Sequence, residues 1–491
     1  VEMLPTIGLA CKAVRTALGH SSKHLYFIVT SRRTCNISTF TNKDKARINL
    51  FLHDFIDMDA EEYKSCALNY LVDITDFRGL DTIYEMTEGW ITGTISAFKI
   101  LEETGKIPSL SQMAEDLDEY FQSVNSIEAD KKETATMYLL SLLDEIDLEF
   151  AIMQNGNARI ANHLIFMLDN NHFIHKPYAT VFRLRKIYKE WVKQLCYKKL
   201  SKNEIELFLN NAADYYINKN NLKSALSCLI NAKTYSKIET LIMYNIDSII
   251  ISEDNSEISR LLSEIPENVM NSSRWMALAY ALSINSISPD KAGFLYQNTE
   301  KILDPEKDIN ACAICWGGLA EFYTYIKGDI KRGQEYQSKT HDLIKDEYPF
   351  SKEVLLYSYS ILFSVSIFTC DLTTIKHFME KSAKANAEIN SHRYKIKHTY
   401  FTAYYHMLSF SYKSVADCVD QIIKSPGAGN FFSFIIYMLY VHSGSKYPAE
   451  FISAKLREKY KDILELFAFH KIWLDIYDAQ YAIQAGDIAT A

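Results

Sequence analysis

The sequence predicts a mainly α-helical protein, in which the last part of an α/β domain is followed by a helical domain, a winged helix and an α-solenoid. Only 16 Gly and 9 Pro occur among the 491 residues, so few residues favour the tight turns that a protein of many strands requires. The 32 Tyr and 26 Phe residues can fill a large core and many seams between helices. At roughly 150 residues per domain, the length indicates about three domains.

Residues 1–58 are interpreted as the C-terminal remnant of an α/β domain. Residues 1–20 have apolar side chains at helical spacing, and residues 25–30 (LYFIVT) form a continuous apolar run between polar segments. Such a run is typical of a strand buried on both faces of a parallel sheet. Residues 48–51 can form a second, short strand. Because these strands do not make a sheet alone, we expect the missing strands to precede Val1.

Residues 59–130 are predicted to be a helical domain. Asp59, followed by Glu61 and Glu62, has the pattern of an N-cap and an acidic first helical turn. A second helix is predicted to begin within residues 87–90 (TEGW) and to run to about Thr104.

Residues 131–200 are predicted to form a winged helix. Short helical segments are followed by residues 171–174 and 180–184, which can pair as a β-hairpin with 175–177 (HKP) as its turn. Two or three helices and a hairpin are the elements of a winged helix.

Residues 201–491 are predicted to form an α-solenoid of helix pairs. Three blocks have a small residue, an aromatic residue about three positions later, a polar turn and a second helix; they are residues 212–225, 319–329 and 479–491. This pattern resembles degenerate tetratricopeptide (TPR) repeats, in which small residues let paired helices approach closely. A stack of such pairs has a concave face that is available to a partner.

Composition excludes several classes of protein. The net charge of −8 argues against a nucleic-acid-binding surface along the whole chain, because phosphate binding requires concentrated basic charge. Nine scattered Cys residues are typical of reduced thiols, so a cytoplasmic location is expected. No apolar run has the roughly 18 residues that a membrane span requires, and no signal peptide is recognisable.

Several clusters have a structural and a functional interpretation. Cys312 and Cys315 suit a helix core better than zinc or redox chemistry, since no second pair accompanies them. His172 and His175 flank the predicted hairpin turn. Because no third ligand lies nearby in the sequence, a metal site there is disfavoured. The basic stretch 392–398 (HRYKIKH) indicates a solvated helix face or an inter-repeat loop, or alternatively a surface for an anionic ligand or nucleic acid.

The tyrosines near residue 400 also leave two interpretations open. Tyr and Phe stripes in residues 354–368 and 400–411 are typical of solenoid core. Alternatively, Tyr400, Tyr404 and Tyr405 line the concave face and bind an inducer, a small molecule or a protein, by stacking.

At the end of the first predicted strand, Ser31 and Arg32 stand where α/β sheets place ligand-contacting groups. Arg32 can contact a nucleotide phosphate there, or it can belong to a solvated loop.

Five segments, in their order and spacing, resemble one family of regulators. They are residues 25–33 (LYFIVTSRR), 48–63 (INLFLHDFIDMDAEEY), 84–101 (YEMTEGWITGTISAFKIL), 182–191 (FRLRKIYKEW) and 204–232 (EIELFLNNAADYYINKNNLKSALSCLINA). Together they resemble the MalT-type, LuxR-associated regulators, which are signal-transducing (STAND) ATPases. The likeness covers most of residues 25–280 and continues only as repeat pattern beyond them.

The resemblance implies an ATP-dependent switch. In that family an ADP-bound closed monomer opens when inducer and ATP bind, self-associates, and activates transcription through a C-terminal helix-turn-helix. Carried over to this sequence, the nucleotide-sensing residues are Arg32, Gly89, Trp90 and Arg185. Residues 1–58 would then end the P-loop NTPase domain and residues 59–130 would be its helical domain.

The sequence departs from the family pattern at three points. No Gly-x-x-x-x-Gly-Lys-Ser/Thr loop occurs in these residues, so no catalytic residue is assigned and this chain is not expected to be an enzyme. Arg185 replaces the family's winged-helix His. No DNA-reading helix-turn-helix is recognised within residues 1–491, so we expect it to lie beyond residue 491 of the parent.

We therefore expect ATP or ADP to be a cofactor of an intact parent protein rather than of these residues alone. DNA contact, like self-association, would belong to that parent, and no membrane partner is expected. The alternative function is a non-catalytic, TPR-like scaffold that binds a protein partner.

Overall fold

The computed structural model describes residues 57–70, 78–124, 131–155, 173–252, 255–345 and 349–423. The predicted helix over 1–20, the predicted strands over 25–30 and 48–51, Arg32 and His172 lie outside these ranges. The described residues fall into two compact units, and the chain passes from unit 1 to unit 2 between Ala232 and Lys233. Across these ranges no helix has both the length and the apolar character needed to cross a membrane.

Unit 1 contains ten helices and three short strands in its described residues. The helices are α1 (Ala60–Tyr70), α2 (Arg78–Thr87), α3 (Ile91–Thr104), α4 (Leu110–Asp116), α5 (Asp118–Val124), α6 (Lys131–Leu140), α7 (Leu148–Asn155), α8 (Lys186–Lys199), α9 (Lys202–Asn218) and α10 (Leu222–Asn231). The strands are β1 (Ile146–Asp147), β2 (Ile174–Tyr178) and β3 (Val181–Leu184).

The strands form one antiparallel sheet in the order β1-β3-β2. The predicted hairpin is therefore present, but its predicted turn over 175–177 was wrong: these residues lie in β2, and residues 179–180 make the turn. The pairing shifts between His175 and Tyr178. Pro177 lies within that irregularity, where its missing N–H breaks no ladder hydrogen bond.

Helix starts in unit 1 follow capping rules where the sequence supplies a cap. The amides of Glu61 and Glu62 donate to Asp59 Oδ1 at 2.9 and 2.8 Å, which confirms the predicted start of α1. Ser109 and Ser201 form full capping boxes with Gln112 and Glu204. These caps satisfy amides that would otherwise lack partners.

Unit 2 is helical throughout its described residues. Its helices are α11 (Tyr235–Ile251), α12 (Ser256–Ser263), α13 (Glu267–Met270), α14 (Arg274–Ile284), α15 (Pro289–Glu300), α16 (Ile309–Glu321), α17 (Ile330–Lys345), α18 (Lys352–Ser366), α19 (Leu372–Ile389), α20 (His392–Leu408) and α21 (Tyr412–Ile423). A π-helical turn, Phe322–Ile326, extends α16, and a 3₁₀ turn, Ile367–Thr369, extends α18.

Consecutive helices of unit 2 pack as pairs, α14 on α15, α16 on α17, α18 on α19 and α20 on α21, and α16 also packs on α18. Small residues permit these contacts, as the repeat pattern predicted. A Cβ at Gly318 would lie 2.4 Å from the Tyr296 ring, and one at Gly293 would lie 2.2 Å from the Phe322 ring. The mainly α-helical fold class with stacked helix pairs is thus confirmed.

Candidate functional site

The candidate site lies in unit 1, where the loop before α1, the turn between α2 and α3, and the hairpin before α8 come together. We call these three segments, residues 57–59, 88–90 and 183–186, the junction. Gly89, Trp90 and Arg185, which the family resemblance implied as nucleotide-sensing residues, all belong to it.

The turn between α2 and α3 has an unusual backbone. Glu88 and Gly89 both adopt left-handed conformations, with φ of 53° and 75°. Met58 N donates to the Gly89 carbonyl at 2.8 Å, and a Cβ at Gly89 would lie 2.3 Å from the Met58 carbonyl oxygen. Only glycine allows this approach without a shift of backbone. The predicted helix start at 87–90 is therefore corrected: α2 ends at Thr87 and α3 begins at Ile91.

Arg185 is a buried cation at the start of α8. Its amide donates to the Phe173 carbonyl at 2.8 Å, which fixes the backbone at the end of the hairpin. Its guanidinium forms an ion pair with Asp57, and the two side chains are only 5% and 22% exposed. One nitrogen, Nη1, is buried and finds no hydrogen-bond partner. Such a donor is costly to leave unpaired, so it marks a place where an acceptor is missing.

Glu88 connects the same turn to the hairpin and to α8. Its Oε1 accepts from Arg183 Nη2 at 2.8 Å, and its Oε2 accepts from the Lys186 amide at 3.0 Å. Lys186 Nζ in turn donates to the Glu85 carbonyl at 2.7 Å. Two carboxylates, those of Asp57 and Glu88, therefore hold the basic segment that joins the hairpin to α8.

Aromatic rings pack beside these charges. Trp90 is half-buried, and its ring centroid lies 5.3 Å from that of Phe173 and 5.8 Å from that of Phe121. Phe121 is fully buried. Nearby, the Trp191 indole N–H donates to Asp118 at 2.7 Å, and this hydrogen bond is the main reason why the pKa of Asp118 is lowered. These aromatic contacts pack α3, α5, the hairpin and α8 against one another.

The junction is suited to holding an anion. Arg185 offers one buried donor, whereas Arg183 is paired with the Glu88 carboxylate and Lys186 Nζ donates to the Glu85 carbonyl. In the part of the chain that the structure describes, no group of three or more His, Cys, Asp or Glu side chains could hold a metal ion.

Two junction residues were not identified as site residues from the sequence. Asp57 was quoted only as part of a matching segment, and Glu88 only as part of the Glu-Gly-Trp pattern. Each lies more than ninety positions from its partner (128 for Asp57 and Arg185, 95 for Glu88 and Arg183), so periodicity alone does not connect them.

The predicted ligand-binding tyrosines lie in unit 2. Tyr400 and Tyr404 are buried in one hydrophobic cluster and are only 4% and 6% exposed. The Tyr400 hydroxyl donates to that of Tyr404 at 3.1 Å. Tyr405 is partly buried against the same cluster. The structure thus places the first two in the core, the structural interpretation given above; in this conformation they do not line a face that an inducer could reach.

The other candidates of unit 2 are also structural. Cys312 and Cys315 are fully buried in α16, and burial raises the pKa of Cys312 to about 11, as expected for core cysteines. The basic stretch 392–398 is not one basic face: Lys397 Nζ donates to Glu321 Oε1 at 2.6 Å, Arg393 Nη1 donates to the Ser252 carbonyl at 3.1 Å, and Tyr394 is buried.

Comparison with known proteins gives one weak likeness. No family model matches the chain, and no curated protein matches it. One solved structure that resembles it is a signal transduction ATPase with numerous domains (STAND) that has a tetratricopeptide-repeat sensor, from Pyrococcus horikoshii. The TM-score is 0.43 and the sequences are 13% identical, over 88% of this chain and 70% of that chain. A similarity this low does not establish a family.

Proposed function

We propose that the chain is the central and sensor part of a signal-transducing, ATP-dependent transcriptional activator of the STAND type. Unit 2 would bind an inducer, a small molecule or a protein, and the junction would report the nucleotide state. The observation that carries the proposal is Arg185: a buried guanidinium, held by Asp57 on one side, with one donor left unpaired. A nucleotide phosphate is an acceptor of the right charge for that donor.

The residues of the junction fit such a ligand. Arg185 would donate Nη1 to a phosphate oxygen, and Asp57 would keep the guanidinium plane in place through its ion pair. Gly89 brings the loop at Met58 against the turn that carries Trp90. A bound nucleotide would add the negative charge that the buried guanidinium lacks on that side. At the position of the family's His this chain has Arg185, whose planar guanidinium can bind two anionic groups through separate nitrogens.

Coupling between the two sites follows from linkage. A ligand that binds the open arrangement more tightly than the closed one shifts their equilibrium by the ratio of its two affinities. Residues 184–210, which connect the hairpin through α8 to α9, are the proposed coupling element. Within unit 1, Tyr216 on α9 donates to the Glu145 carbonyl at 3.0 Å, next to β1, so α9 contacts the segment that leads into the sheet.

The test is ADP affinity in the intact parent protein, measured by calorimetry. We expect Arg185→Gln to weaken ADP binding at least about tenfold, because one charge-assisted hydrogen bond is lost. Arg185→Lys should also weaken ADP binding, since lysine has no planar guanidinium whose separate nitrogens could bind Asp57 and a phosphate at the same time. Lys64→Gln, at an exposed position on α1, is the control and should leave the affinity unchanged.

Two outcomes would overturn the proposal. One is equal ADP affinity of the parent and Arg185→Gln proteins, both folded. The other is a parent that binds its protein partner equally well with and without nucleotide, which would favour the alternative, a TPR-like scaffold without a switch.

A further inference from the structure

We infer that Glu88 is the positioning residue of Arg185: it binds the side chain of Arg183 and the backbone amide of Lys186, on either side of the arginine, and does not itself contact the anionic ligand. This inference rests on the proposed function for the identity of the ligand. Its geometric part concerns only residues of unit 1.

The carboxylate of Glu88 brackets Arg185. One oxygen binds Arg183, two residues before the arginine, and the other binds the amide of Lys186, the residue after it. Asp57 holds the guanidinium itself. The two carboxylates therefore have different roles. Asp57 binds the guanidinium of Arg185, and Glu88 holds the neighbouring backbone from which that side chain extends.

Helix α8 depends on this contact for its first turn. The N-cap position is Arg185, whose side chain caps no amide of the helix. An arginine cannot accept a hydrogen bond, so the free amides of the first turn need another acceptor. Glu88 supplies it from a different element, and a carboxylate at a helix N-terminus is also favoured by the helix dipole.

The conformation of Glu88 supports a specific role. A residue other than glycine with φ of 53° is strained in its backbone, and such a conformation persists only where the surroundings enforce it. The Glu88 amide closes α2 on the Tyr84 carbonyl at 2.8 Å. The side chain is only 15% exposed while its partner Arg183 is 50% exposed, so the carboxylate is directed into the junction and away from solvent.

It follows that the end of the hairpin and the start of α8 move together with the turn between α2 and α3 as long as Glu88 is engaged. Arg185 then presents Nη1 in one position. Release of Glu88 would free the backbone of Arg185 without removing its charge or its Asp57 partner.

The first experiment measures hydrogen exchange of the Lys186 amide in this chain, without any nucleotide. We expect Glu88→Ala to raise its exchange rate at least about tenfold, because a charge-assisted hydrogen bond is lost. Glu88→Gln should raise it less, since an amide oxygen still accepts. Glu85→Ala is the matched control: Glu85 is exposed and contributes its backbone carbonyl to the junction, so exchange at Lys186 should not change.

The second experiment is a double-mutant cycle on ADP affinity in the intact parent protein. We expect Glu88→Ala alone to weaken ADP binding by about tenfold, and to have no further effect when Arg185 is already Gln, since the two residues act as one unit. A merely structural residue would give additive losses.

The two experiments distinguish a failure of the role of Glu88 from a failure of the proposed function. Unchanged Lys186 exchange in Glu88→Ala, or additive losses in the cycle, overturns the role of Glu88. A parent protein that binds no ADP overturns the proposed function, and the exchange result still decides whether Glu88 holds the backbone at Arg185.

Discussion

Gly89 shows how one residue decides the path of the backbone at the junction. Any glycine can adopt its φ of 75° without strain, but the Met58 carbonyl next to its Cα leaves no space for a side chain. Gly105, at the end of α3, has a similar φ of 65° with nothing within 4 Å of a built Cβ. Comparing Gly89 with Gly105 therefore separates the cost of a left-handed backbone from the cost of the close contact with Met58.

We predict that Gly105→Ala costs about 1 kcal/mol of unfolding free energy, because alanine is disfavoured in the left-handed region. Gly89→Ala should cost about 3 kcal/mol, since the Met58 carbonyl must also shift, at a further 1–3 kcal/mol or so. Urea denaturation of both variants checks this. Equal losses would mean that the Met58 contact adds nothing.

At the scale of elements, helix pairing in unit 2 depends on glycines that helix propensity disfavours. Gly318 lies within α16, where alanine would be preferred by about 1 kcal/mol. A Cβ there would lie 2.4 to 2.8 Å from three atoms of the Tyr296 ring, and that ring is completely buried. The close approach of α15 and α16 outweighs the local preference.

We predict that Gly318→Ala destabilises unit 2 by about 1–2 kcal/mol, because overpacking against a fixed ring costs more than the helix propensity returns. Ser338→Ala, at an exposed position on α17, is the control and should change the unfolding free energy by less than about 0.5 kcal/mol. A rise in thermal stability of Gly318→Ala would show that the Tyr296 ring can move aside.

The hairpin illustrates what pattern reasoning recovers at this scale. Residues 180–184 were predicted to form one strand of the hairpin, and the structure has β3 at Val181–Leu184. The turn was misplaced because Pro177 signals a turn in most sequences, whereas here it lies in an irregular part of β2. Strand β1 has two residues, too few for any periodicity to reveal.

At the scale of the whole molecule, one histidine of unit 2 makes the free energy of unfolding depend on pH. His398 on α20 packs against Phe363, with ring centroids 5.4 Å apart. Burial lowers the pKa of His398 to about 4. The unfolded chain therefore binds a proton at this site between about pH 6.5 and pH 4 while the folded chain does not.

We predict that the unfolding free energy of unit 2 falls as the pH is lowered through this window, by up to about 3 kcal/mol from His398 alone. The sign follows because protonation favours the state with the higher pKa, which is the unfolded one. Denaturation between pH 7 and pH 4.5 tests it, with His398→Gln as the variant whose profile should be flatter. Parallel profiles for the two proteins would assign the acid sensitivity to other groups.

The sequence by itself determined the mainly α-helical fold class and the pairing of helices, because caps, periodicity and small-residue spacing act over a few positions along the chain. Gly89, Trp90 and Arg185 were implied by the family resemblance alone, and no periodic pattern connects them.

Only the tertiary structure decided that Asp57 and Glu88 hold Arg185, and that Tyr400 and Tyr404 are core residues rather than surface ones. Ion pairs formed between distant segments leave no periodic signal, and a tyrosine stripe is the same in sequence whether its face meets another helix or solvent. Burial, which turns an ordinary arginine into a charged group lacking an acceptor, is a property of the packed molecule alone.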